Sequence, residues 1–395
     1  MPHGSDIVIV GGGLAGCTVA ARLCDAGRAG DVTILEADPD APYDRPPLTK
    51  GFLSSEDALS AWPVWAPRDV VWRYDAVGSV DLTRRVIVTQ SGDPLRASNI
   101  VIAAGARART LPRGSERIVT IRTAADARVL RDRVAGGATR FLIEGAGALG
   151  LEIASTLAAF GSRVTVVDLA PAPMMRLLGG HLSDEVLTWA ADAGVELVLG
   201  SRVTEVHNAP DVTGVLVRID DGSLEAFDVM VSAVGVEANA LELRGPDGPM
   251  TLPIVTDRHG RILDPAGLPI DSVYAAGDVT GSRQRDGSIV RSEAWTAARV
   301  QGEVIARCLL GEPPLPTPVP YFWTRQFGRM IQVLGQVDPD GALDVAGQVP
   351  KTGGILYRAV RDGVPVGYIG VNAQSLIAQL QVQDGKPAHW TVDGE

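Results

Sequence analysis

The chain has 395 residues, a formal net charge of −11 and a hydrophobic fraction of 46%. This length predicts two or three domains, and the apolar content is sufficient for large cores. The acidic balance argues against a nucleic-acid partner, because phosphate contacts need a dense basic surface.

The apolar runs are short, and none approaches the roughly 20 residues that a bilayer span needs. The first residues lack a basic segment followed by a long apolar one, so we expect no secretion signal. Three cysteines cannot form a disulfide framework, which fits a reducing compartment. We therefore expect a cytoplasmic protein without a membrane span.

The first predicted elements are a strand at residues 6–10, a glycine-rich turn and a helix that ends near residue 26. A second apolar strand, residues 32–35, ends in Glu36. This order predicts a βαβ unit with a buried parallel sheet. The same order recurs later in the chain. A predicted strand at 140–143 is followed by a glycine-rich turn at 145–150, a helix that ends near residue 160, and a strand at 164–167 that ends in Asp168. The recurrence indicates an internal repeat of one functional unit.

The segments between and after the two repeats have other sequence patterns. The pattern predicts an ordered loop at 39–50, the strands of a hairpin-like insertion at 70–72 and 85–89, and a crossing segment at 245–270. Residues 311–318 contain four prolines and are the best linker candidate. A small α+β domain follows, with predicted strands at 330–335, 355–360 and 364–371 and a helix at 373–382.

The first glycine cluster has the spacing G-x-G-x-x-G, as Gly11, Gly13 and Gly16, and Glu36 follows 20 residues after the last glycine. The first glycine permits a tight turn, and the second lets the backbone approach a pyrophosphate. The third lets the helix pack closely, and the acid binds a ribose hydroxyl. The agreement of strand, helix and acid predicts a dinucleotide site.

The second cluster repeats this spacing as Gly145, Gly147 and Gly150, with Asp168 18 residues later. Two complete fingerprints predict two bound dinucleotides. Asp168 would accept a hydrogen bond from the ribose 2′-OH and would repel a 2′-phosphate. Since residues 169–175 contain no arginine, we expect NADH to be preferred over NADPH.

Two fingerprints in this order resemble the flavoprotein fold of glutathione reductase, which holds FAD on the first and NAD(P)H on the second. Residues 274–278, Tyr-Ala-Ala-Gly-Asp, are similar to its second FAD motif, and residues 101–106 are similar to the strand that returns from its NAD domain. Arg-Pro-Pro-Leu-Thr-Lys at 45–50 resembles a motif of the putidaredoxin-reductase-like NADH–ferredoxin reductases that serve oxygenases. Further blocks of that family match at 291–295, 301–302 and 321–326.

This resemblance covers about residues 5–375. It implies an α/β fold with two Rossmann-like dinucleotide-binding domains and a small α+β C-terminal domain. The implied FAD domain is discontinuous, at 1–112 and 246–314. The implied NAD domain covers 113–245, and the C-terminal domain covers 315–395.

The resemblance also implies the chemistry, which is hydride transfer from NADH to FAD followed by single-electron transfer to a ferredoxin-type [2Fe-2S] protein that feeds an oxygenase or P450. Lys50 is expected near flavin N5, where its charge would stabilise the anionic reduced flavin. Glu152 is expected to pair with Lys50 and to help orient the nicotinamide. We expect a monomer or a weak homodimer.

The implied binding residues fall into two sets. Those for FAD are Gly11, Gly13, Gly16, Glu36, Arg45, Lys50, Val77, Ala104, Gly105, Gly277, Asp278, Trp295 and Trp323. Those for NAD are Gly145, Gly147, Gly150, Glu152, Asp168 and Gly235. No metal site is expected, because the five histidines are scattered without ligand spacing.

The chain departs from the family's pattern at Ala104, at Ala172, at Arg325 and in the short, tryptophan-rich segment 53–71. These departures concern the electron acceptor, so a small organic substrate in a tailoring pathway is kept as an alternative. A non-enzymatic interaction module is a third hypothesis, which Lys50 and Glu152 disfavour.

Two further expectations concern the redox partner. No cysteine lies between Cys24 and Cys308, which excludes the redox cysteine pair of a disulfide reductase. Arg291, Arg299 and Arg325 are candidates for a basic patch that docks an acidic ferredoxin. The alternative is that these arginines are scattered solvated residues, or pair internally with nearby glutamates.

Overall fold

The computed structural model describes residues 6–55, 59, 62–92, 94–111, 115, 117–209, 214–220, 222–239, 241–284, 286–313, 315, 319–339, 341–383, 386 and 387. The chain forms two compact units. The first is Met1–Asp44, Ala61–Arg107 and Glu237–Thr317, and the second is Arg45–Ser60, Ala108–Val236 and Pro318–Glu395. Four of the predicted linker residues, at 314 and 316–318, lie outside the described residues.

The first unit is built on a six-stranded sheet. Its strands lie in the order Arg261–Leu263, Pro269–Ala275, Asn99–Ile102, Ile7–Val10, Val32–Glu36 and Val71–Tyr74. The pairs are parallel except for the first, which is antiparallel. Ile7–Val10 and Val32–Glu36 are buried along their whole length. Continuous apolar strands of this kind are typical of a parallel sheet that is covered on both faces.

Two long helices of this unit, Leu14–Asp25 and Trp295–Leu310, pack against each other. Gly302 permits the close approach, since a Cβ there would lie 2.6 Å from the Ala15 carbonyl oxygen. A short 3-10 turn covers Ala29–Asp31. A five-stranded sheet contains Gly248–Pro249, Glu242–Gly245, Val77–Asp81, Val86–Thr89 and Pro94–Arg96. A three-stranded sheet contains Ile254–Val255, Thr280–Arg283 and Ile289–Val290.

The predicted pairing of the strands near residues 70–72 and 85–89 is wrong. Val71–Tyr74 joins the six-stranded sheet beside Val32–Glu36, whereas Val86–Thr89 pairs with Val77–Asp81. A turn at residues 82–85 joins Val77–Asp81 directly to Val86–Thr89. The two strands therefore form a local hairpin, and Val71–Tyr74 is not part of it.

The second unit repeats the parallel architecture. Its five-stranded sheet is parallel throughout, in the order Val195–Leu199, Arg163–Asp168, Arg140–Glu144, Val229–Ser232 and Ile118–Val119. The helices of this part are Ala124–Ala135, Ala148–Ala159, Met175–Leu178 and Ser183–Asp192. A three-stranded antiparallel sheet contains Val203–Asn208, Val215–Ile219 and Leu224–Phe227. The predicted internal repeat is therefore confirmed.

The C-terminal part of this unit is a five-stranded antiparallel sheet. Its order is Tyr321–Gln326, Arg329–Gly335, Val364–Val371, Gly354–Arg361 and Ala342–Val349. Helix Gln374–Gln381 packs on the sheet through Ile377. The pattern did not predict Ala342–Val349, because its apolar and polar residues do not alternate as they do in a half-buried strand.

Short elements complete the description. They are the 3-10 turn Pro46–Thr49, the helix Gly51–Ser54, and the strands Ala106–Ala108, Val236–Ala238, Val382–Gln383 and Lys386–Pro387. No helix in the described part of the chain is long and apolar enough to cross a membrane. The predicted fold class, two Rossmann-like domains with a small α+β C-terminal part, is confirmed.

Candidate active site

The first glycine cluster forms a cradle between strand Ile7–Val10 and helix Leu14–Asp25. Gly11 has φ +107°, and a Cβ there would lie 2.3 Å from the Ala103 carbonyl oxygen. Only glycine fits this turn. The helix begins after Gly13, which has no side chain to cap it. The N-cap residue therefore provides no side-chain acceptor for the amides of the first helical turn. These amides can instead donate to an anion such as a pyrophosphate.

Glu36 closes this cradle from the end of the second strand. Its Oε2 accepts a hydrogen bond from the Gly12 amide at 2.6 Å, and its Oε1 accepts one from the Asp38 amide at 2.8 Å. A carboxylate offers about four acceptor positions, so the two oxygens keep capacity for ribose hydroxyls. The residues present fit the adenosine end of a dinucleotide.

Two aromatic residues flank Glu36 on the neighbouring strand. The Trp72 ring packs against Gly12, where a Cβ would lie 2.4 Å from it. Tyr74 stands opposite Glu36 in the parallel register and stacks on Trp72, with ring centroids 6.2 Å apart. Burial raises the pKa of the Tyr74 phenol, and the Glu36 carboxylate adds to the increase. The phenol therefore stays neutral beside the acid.

The predicted second FAD motif lies at the same end of the first helix. The Gly277 amide donates to Gln301 Oε1 at 2.6 Å, and a Cβ at Gly277 would lie 3.2 Å from the Ala15 Cβ. Asp278 follows directly, and its carbonyl oxygen accepts a hydrogen bond from Arg291 Nη2 at 2.9 Å. The fold thus brings Asp278 beside the first cradle.

The second cradle, in the other unit, has the same construction. Gly145 has φ +115°, and a Cβ there would lie 2.5 Å from the Ala233 carbonyl oxygen. At Gly150 a Cβ would lie 1.9 Å from the Gly145 oxygen. At Gly147 it would meet nothing within 4 Å, so this side of the cradle is open to a ligand. Helix Ala148–Ala159 begins at this open side.

Asp168 closes the second cradle as Glu36 closes the first. Its Oδ2 accepts from the Ala146 amide at 2.6 Å, and its Oδ1 accepts from the Ala170 amide at 2.7 Å. The next side chain, Leu169, is apolar and 69% exposed. A ribose diol fits beside this carboxylate, whereas a 2′-phosphate would meet its negative charge.

Lys50 and Glu152 form an ion pair within the second unit. Lys50 Nζ lies 2.5 Å from Glu152 Oε2, and the two side chains are 24% and 9% exposed. The Trp323 ring lies over the ammonium, with its centroid 5.6 Å from Nζ. Lys50 also donates to the Pro46 carbonyl oxygen at 3.1 Å. These contacts hold one positive charge at a defined, partly buried position.

The segment that carries Lys50 is anchored on both sides. Thr156, on the helix that also carries Glu152, donates to the Thr49 carbonyl oxygen at 2.8 Å. Phe52, two residues after the lysine, is fully buried, and the Arg131 guanidinium lies 5.1 Å from its ring centroid. The Lys50–Glu152 geometry therefore rests on packing as well as on charge.

The fold divides the predicted FAD residues between the two units. Gly11, Gly13, Gly16, Glu36, Val77, Ala104, Gly105, Gly277, Asp278 and Trp295 belong to the first unit. Arg45, Lys50 and Trp323 belong to the second, as do all predicted NAD residues, including Gly235.

Three of the remaining first-unit residues have defined surroundings. Val77 begins a strand that pairs with Val86–Thr89. The Ala104 carbonyl oxygen accepts from the Asn239 side chain at 2.9 Å. The Trp295 indole donates to Asp44 Oδ1 at 3.2 Å.

Sequence reasoning missed two residues of the site, Thr49 and Thr324. Both hydroxyls donate to the Glu152 carboxylate, at 2.8 and 2.6 Å. Each is adjacent in sequence to a predicted site residue, Lys50 or Trp323. That adjacency was the available signal, but the long-range contacts to Glu152 cannot be deduced from it.

Of the three arginines considered for docking, Arg291 is engaged internally. Its side chain is 17% exposed, contacts the Asp278 carbonyl oxygen and lies 3.5 Å from Glu293. The internal alternative therefore holds for this residue. Arg299 and Arg325 are exposed, and either can meet a partner.

None of the three cysteines forms a disulfide. Cys17 is buried and donates to the Gly12 carbonyl oxygen at 3.1 Å, and Cys24, on the same helix, is partly buried against the core of the first unit. Burial raises the pKa of the Cys24 thiol, and Asp69 and Asp25 add to the increase. A raised pKa lowers thiolate content and hence reactivity.

Comparison with known proteins agrees with this geometry. A family model described as pyridine nucleotide-disulphide oxidoreductase matches residues 5–302. The chain is similar to the ferredoxin reductase for the CYP199A2 system from Rhodopseudomonas palustris, with 26% identity, a TM-score of 0.81 and coverage of 97% of this chain and 96% of that one. It is similar to Fdr9, with 30% identity, a TM-score of 0.80 and coverage of 94% and 93%.

A third similar structure is the covalent putidaredoxin reductase–putidaredoxin complex. It shares 24% identity with the chain at a TM-score of 0.81, over 94% of this chain and 91% of that one. At this level of identity the likeness concerns the fold alone.

Proposed function

We propose that this chain, which belongs to the pyridine nucleotide-disulphide oxidoreductase family, takes electrons from NADH and delivers them one at a time to a ferredoxin-type [2Fe-2S] protein. It is an oxidoreductase whose cofactors are FAD and a nicotinamide dinucleotide. The proposed partner in turn feeds an oxygenase or a P450. We place FAD on the first cradle and NADH on the second.

The Lys50–Glu152 pair is the observation that carries this proposal. Glu152 lies in the second turn of the helix that begins at the second cradle. It is therefore close to the end of that helix at which the diphosphate of a nucleotide would bind. Lys50 is held against it at 2.5 Å in a partly buried position. A fixed ammonium in such a place stabilises negative charge that develops on a neighbouring group.

When bound, NADH supplies a hydride and FAD accepts it and can release the two electrons singly. The protein's own residues bind and align the two cofactors. Glu36 and Asp168 hold the ribose ends, and the uncapped helix starts hold the diphosphates. Lys50 provides the charge at the reacting end, and Asp168 selects NADH over NADPH.

Thiol chemistry is not part of this function, although it gives the family its name. Disulfide reduction in this fold needs a redox cysteine pair after the first βαβ unit. The chain has no cysteine between Cys24 and Cys308, and Cys17 and Cys24 are packing residues of the first helix. Electrons must therefore leave the flavin directly to the acceptor.

Likeness to the Rhodopseudomonas ferredoxin reductase supports an iron–sulfur protein as that acceptor. Exposed Arg325 lies next to Thr324 and Trp323, so it marks the protein surface close to the Lys50–Glu152 pair. A cation at this position suits an acidic partner. We propose it as a docking contact.

Anaerobic spectra of the purified protein test the proposal. The protein should be yellow, acid precipitation should release the colour as FAD, and NADH should bleach the flavin band. A [2Fe-2S] ferredoxin added next should be reduced, and NADH turnover should become continuous when the ferredoxin is reoxidised. Colourless protein that binds no added FAD would refute the cofactor assignment. Turnover with small organic substrates and none with any ferredoxin would favour the alternative acceptor.

A further inference from the structure

The Glu152 carboxylate is surrounded by donors from two separate segments. Its Oε2 accepts from Thr49 Oγ1 at 2.8 Å and from Lys50 Nζ at 2.5 Å. Its Oε1 accepts from Thr324 Oγ1 at 2.6 Å and from the Arg325 amide at 3.3 Å. Because a carboxylate offers about four acceptor positions, these protein donors fill them.

All of these groups donate, because a carboxylate can only accept, and Thr324 holds its hydroxyl in the most enclosed position of the set. It is fully buried, and its Oγ1 lies 3.3 Å from Gln326 Nε2, which can only donate. The single hydroxyl hydrogen of Thr324 is thus left for Glu152 Oε1. Gln326 is itself buried and lies 3.1 Å from Met174 Sδ. Water cannot readily replace a donor in such a place, so losing the hydroxyl leaves the carboxylate one partner short.

We propose that Thr324 is a positioning residue for the reduction of the flavin by NADH. Its hydroxyl fixes the Oε1 side of Glu152 and thereby presents the Oε2 side to Lys50. The same strand, Tyr321–Gln326, places Trp323 over the Lys50 ammonium. One strand of the C-terminal sheet therefore holds both members of the ion pair. The inference rests on the proposed function, in which NADH reduces the flavin at this pair.

The four donors also determine how Glu152 acts. With its acceptor positions filled by protein donors, the carboxylate does not accept a further hydrogen bond from a nicotinamide carboxamide without losing one of them. Glu152 therefore acts on the nicotinamide through Lys50. Loss of the Thr324 hydroxyl should disturb the reacting end of NADH and leave the adenosine end at Asp168 unchanged.

Three variants separate the hydroxyl from packing. Thr324→Val removes the hydroxyl at nearly constant volume, and Thr324→Ser keeps it. Thr89→Val is the matched control, because Thr89 is also buried but its hydroxyl bonds Ser91. Anaerobic stopped flow gives the limiting rate of flavin reduction and the NADH dissociation constant. Calorimetry gives the affinity for ADP-ribose, which reaches Asp168 but lacks the nicotinamide.

Thr324→Val should lower the limiting rate about tenfold, as expected for one hydrogen bond to a charged group. Thr324→Ser should stay within about twofold of the native rate, as should Thr89→Val. ADP-ribose affinity should be the same in all four proteins. Should Thr324→Val not retain FAD, Thr324→Ala replaces it, with the same expectation.

Three results would overturn the inference. They are a native rate in the hydroxyl-free variant, a serine variant as slow as the valine variant, and a parallel loss of ADP-ribose affinity. Flavin that NADH does not reduce in the native protein overturns the proposed function instead. No ferredoxin is used, so the identity of the acceptor does not affect the outcome.

Discussion

Replacing Lys50 by methionine separates the structural from the chemical role of the Lys50–Glu152 pair. Methionine keeps most of the aliphatic chain and removes the charge. The partner carboxylate is only 9% exposed, so it would be left buried without its counter-ion. A buried ion that loses its only partner costs about 3–5 kcal/mol.

Here the cost is smaller, because Glu152 retains the Thr49 and Thr324 hydroxyls and the Arg325 amide. What is lost is one hydrogen bond between charged groups, worth about 1.5–3 kcal/mol. The variant Lys50→Met should be less stable by that amount. Adding Glu152→Gln removes the uncompensated charge and should recover most of the stability. It should not recover chemistry, because the ammonium is still absent.

Urea unfolding and anaerobic stopped flow measure the two effects separately. We expect Lys50→Met to slow flavin reduction by NADH about 100-fold, the scale for removing one electrostatic contact to developing charge. The double variant should be equally slow but more stable. Lys351→Met, at an exposed lysine, is the control and should match the native protein in both assays. A double variant no more stable than the single one, or a native reduction rate in Lys50→Met, would refute the reasoning.

Asp168, Gly150 and Arg325 can each be tested by a single substitution. Asp168→Ala should raise the KM for NADH and narrow its advantage over NADPH by about 5- to 150-fold, the equivalent of 1–3 kcal/mol; equal kcat/KM for both nucleotides in the native protein would count against it. Gly150→Ala should abolish NADH binding while FAD stays bound, because the alanine Cβ would lie 1.9 Å from the Gly145 carbonyl oxygen. Calorimetry with ADP-ribose measures this loss, and an unchanged ADP-ribose affinity would contradict the prediction. Arg325→Glu should slow reduction of an acidic ferredoxin severalfold at low salt and leave ferricyanide reduction unchanged. If neither the substitution nor added salt changes the rate of ferredoxin reduction, the docking surface lies elsewhere.

Local pattern was sufficient for the parts of this protein in which neighbouring residues cooperate. Apolar strands, glycine spacing and a terminal acid lie within about 30 residues of one another in each cradle, so the sequence alone determined both βαβ units. It also indicated Glu36 and Asp168 as the closing acids. Their hydrogen bonds to the amides of Gly12 and Ala146 are the geometry that the spacing predicts.

Strand pairing was decided by the tertiary structure and not by local sequence. The strand Val71–Tyr74 pairs with Val32–Glu36 and not with Val86–Thr89, although three of its four residues are exposed, so no burial pattern in the sequence marked its partner. Ala342–Val349 is a strand only because Gly354–Arg361 provides its hydrogen-bonding edge. Such pairings depend on partners far away in the chain, and local propensity carries little information about them.

The environment of Glu152 shows the same limit at the site itself. The resemblance of residues 45–50 to a family motif pointed to Lys50, and Glu152 came with it. The hydroxyl of Thr324, 172 residues away in sequence, could not be assigned to the pair, because a buried threonine in a strand is indistinguishable by pattern from a packing residue. The sequence determined which groups carry the charge. The tertiary structure alone decided which neutral groups hold that charge in place, because hydrogen-bond partners in a buried site are chosen by packing and not by order along the chain.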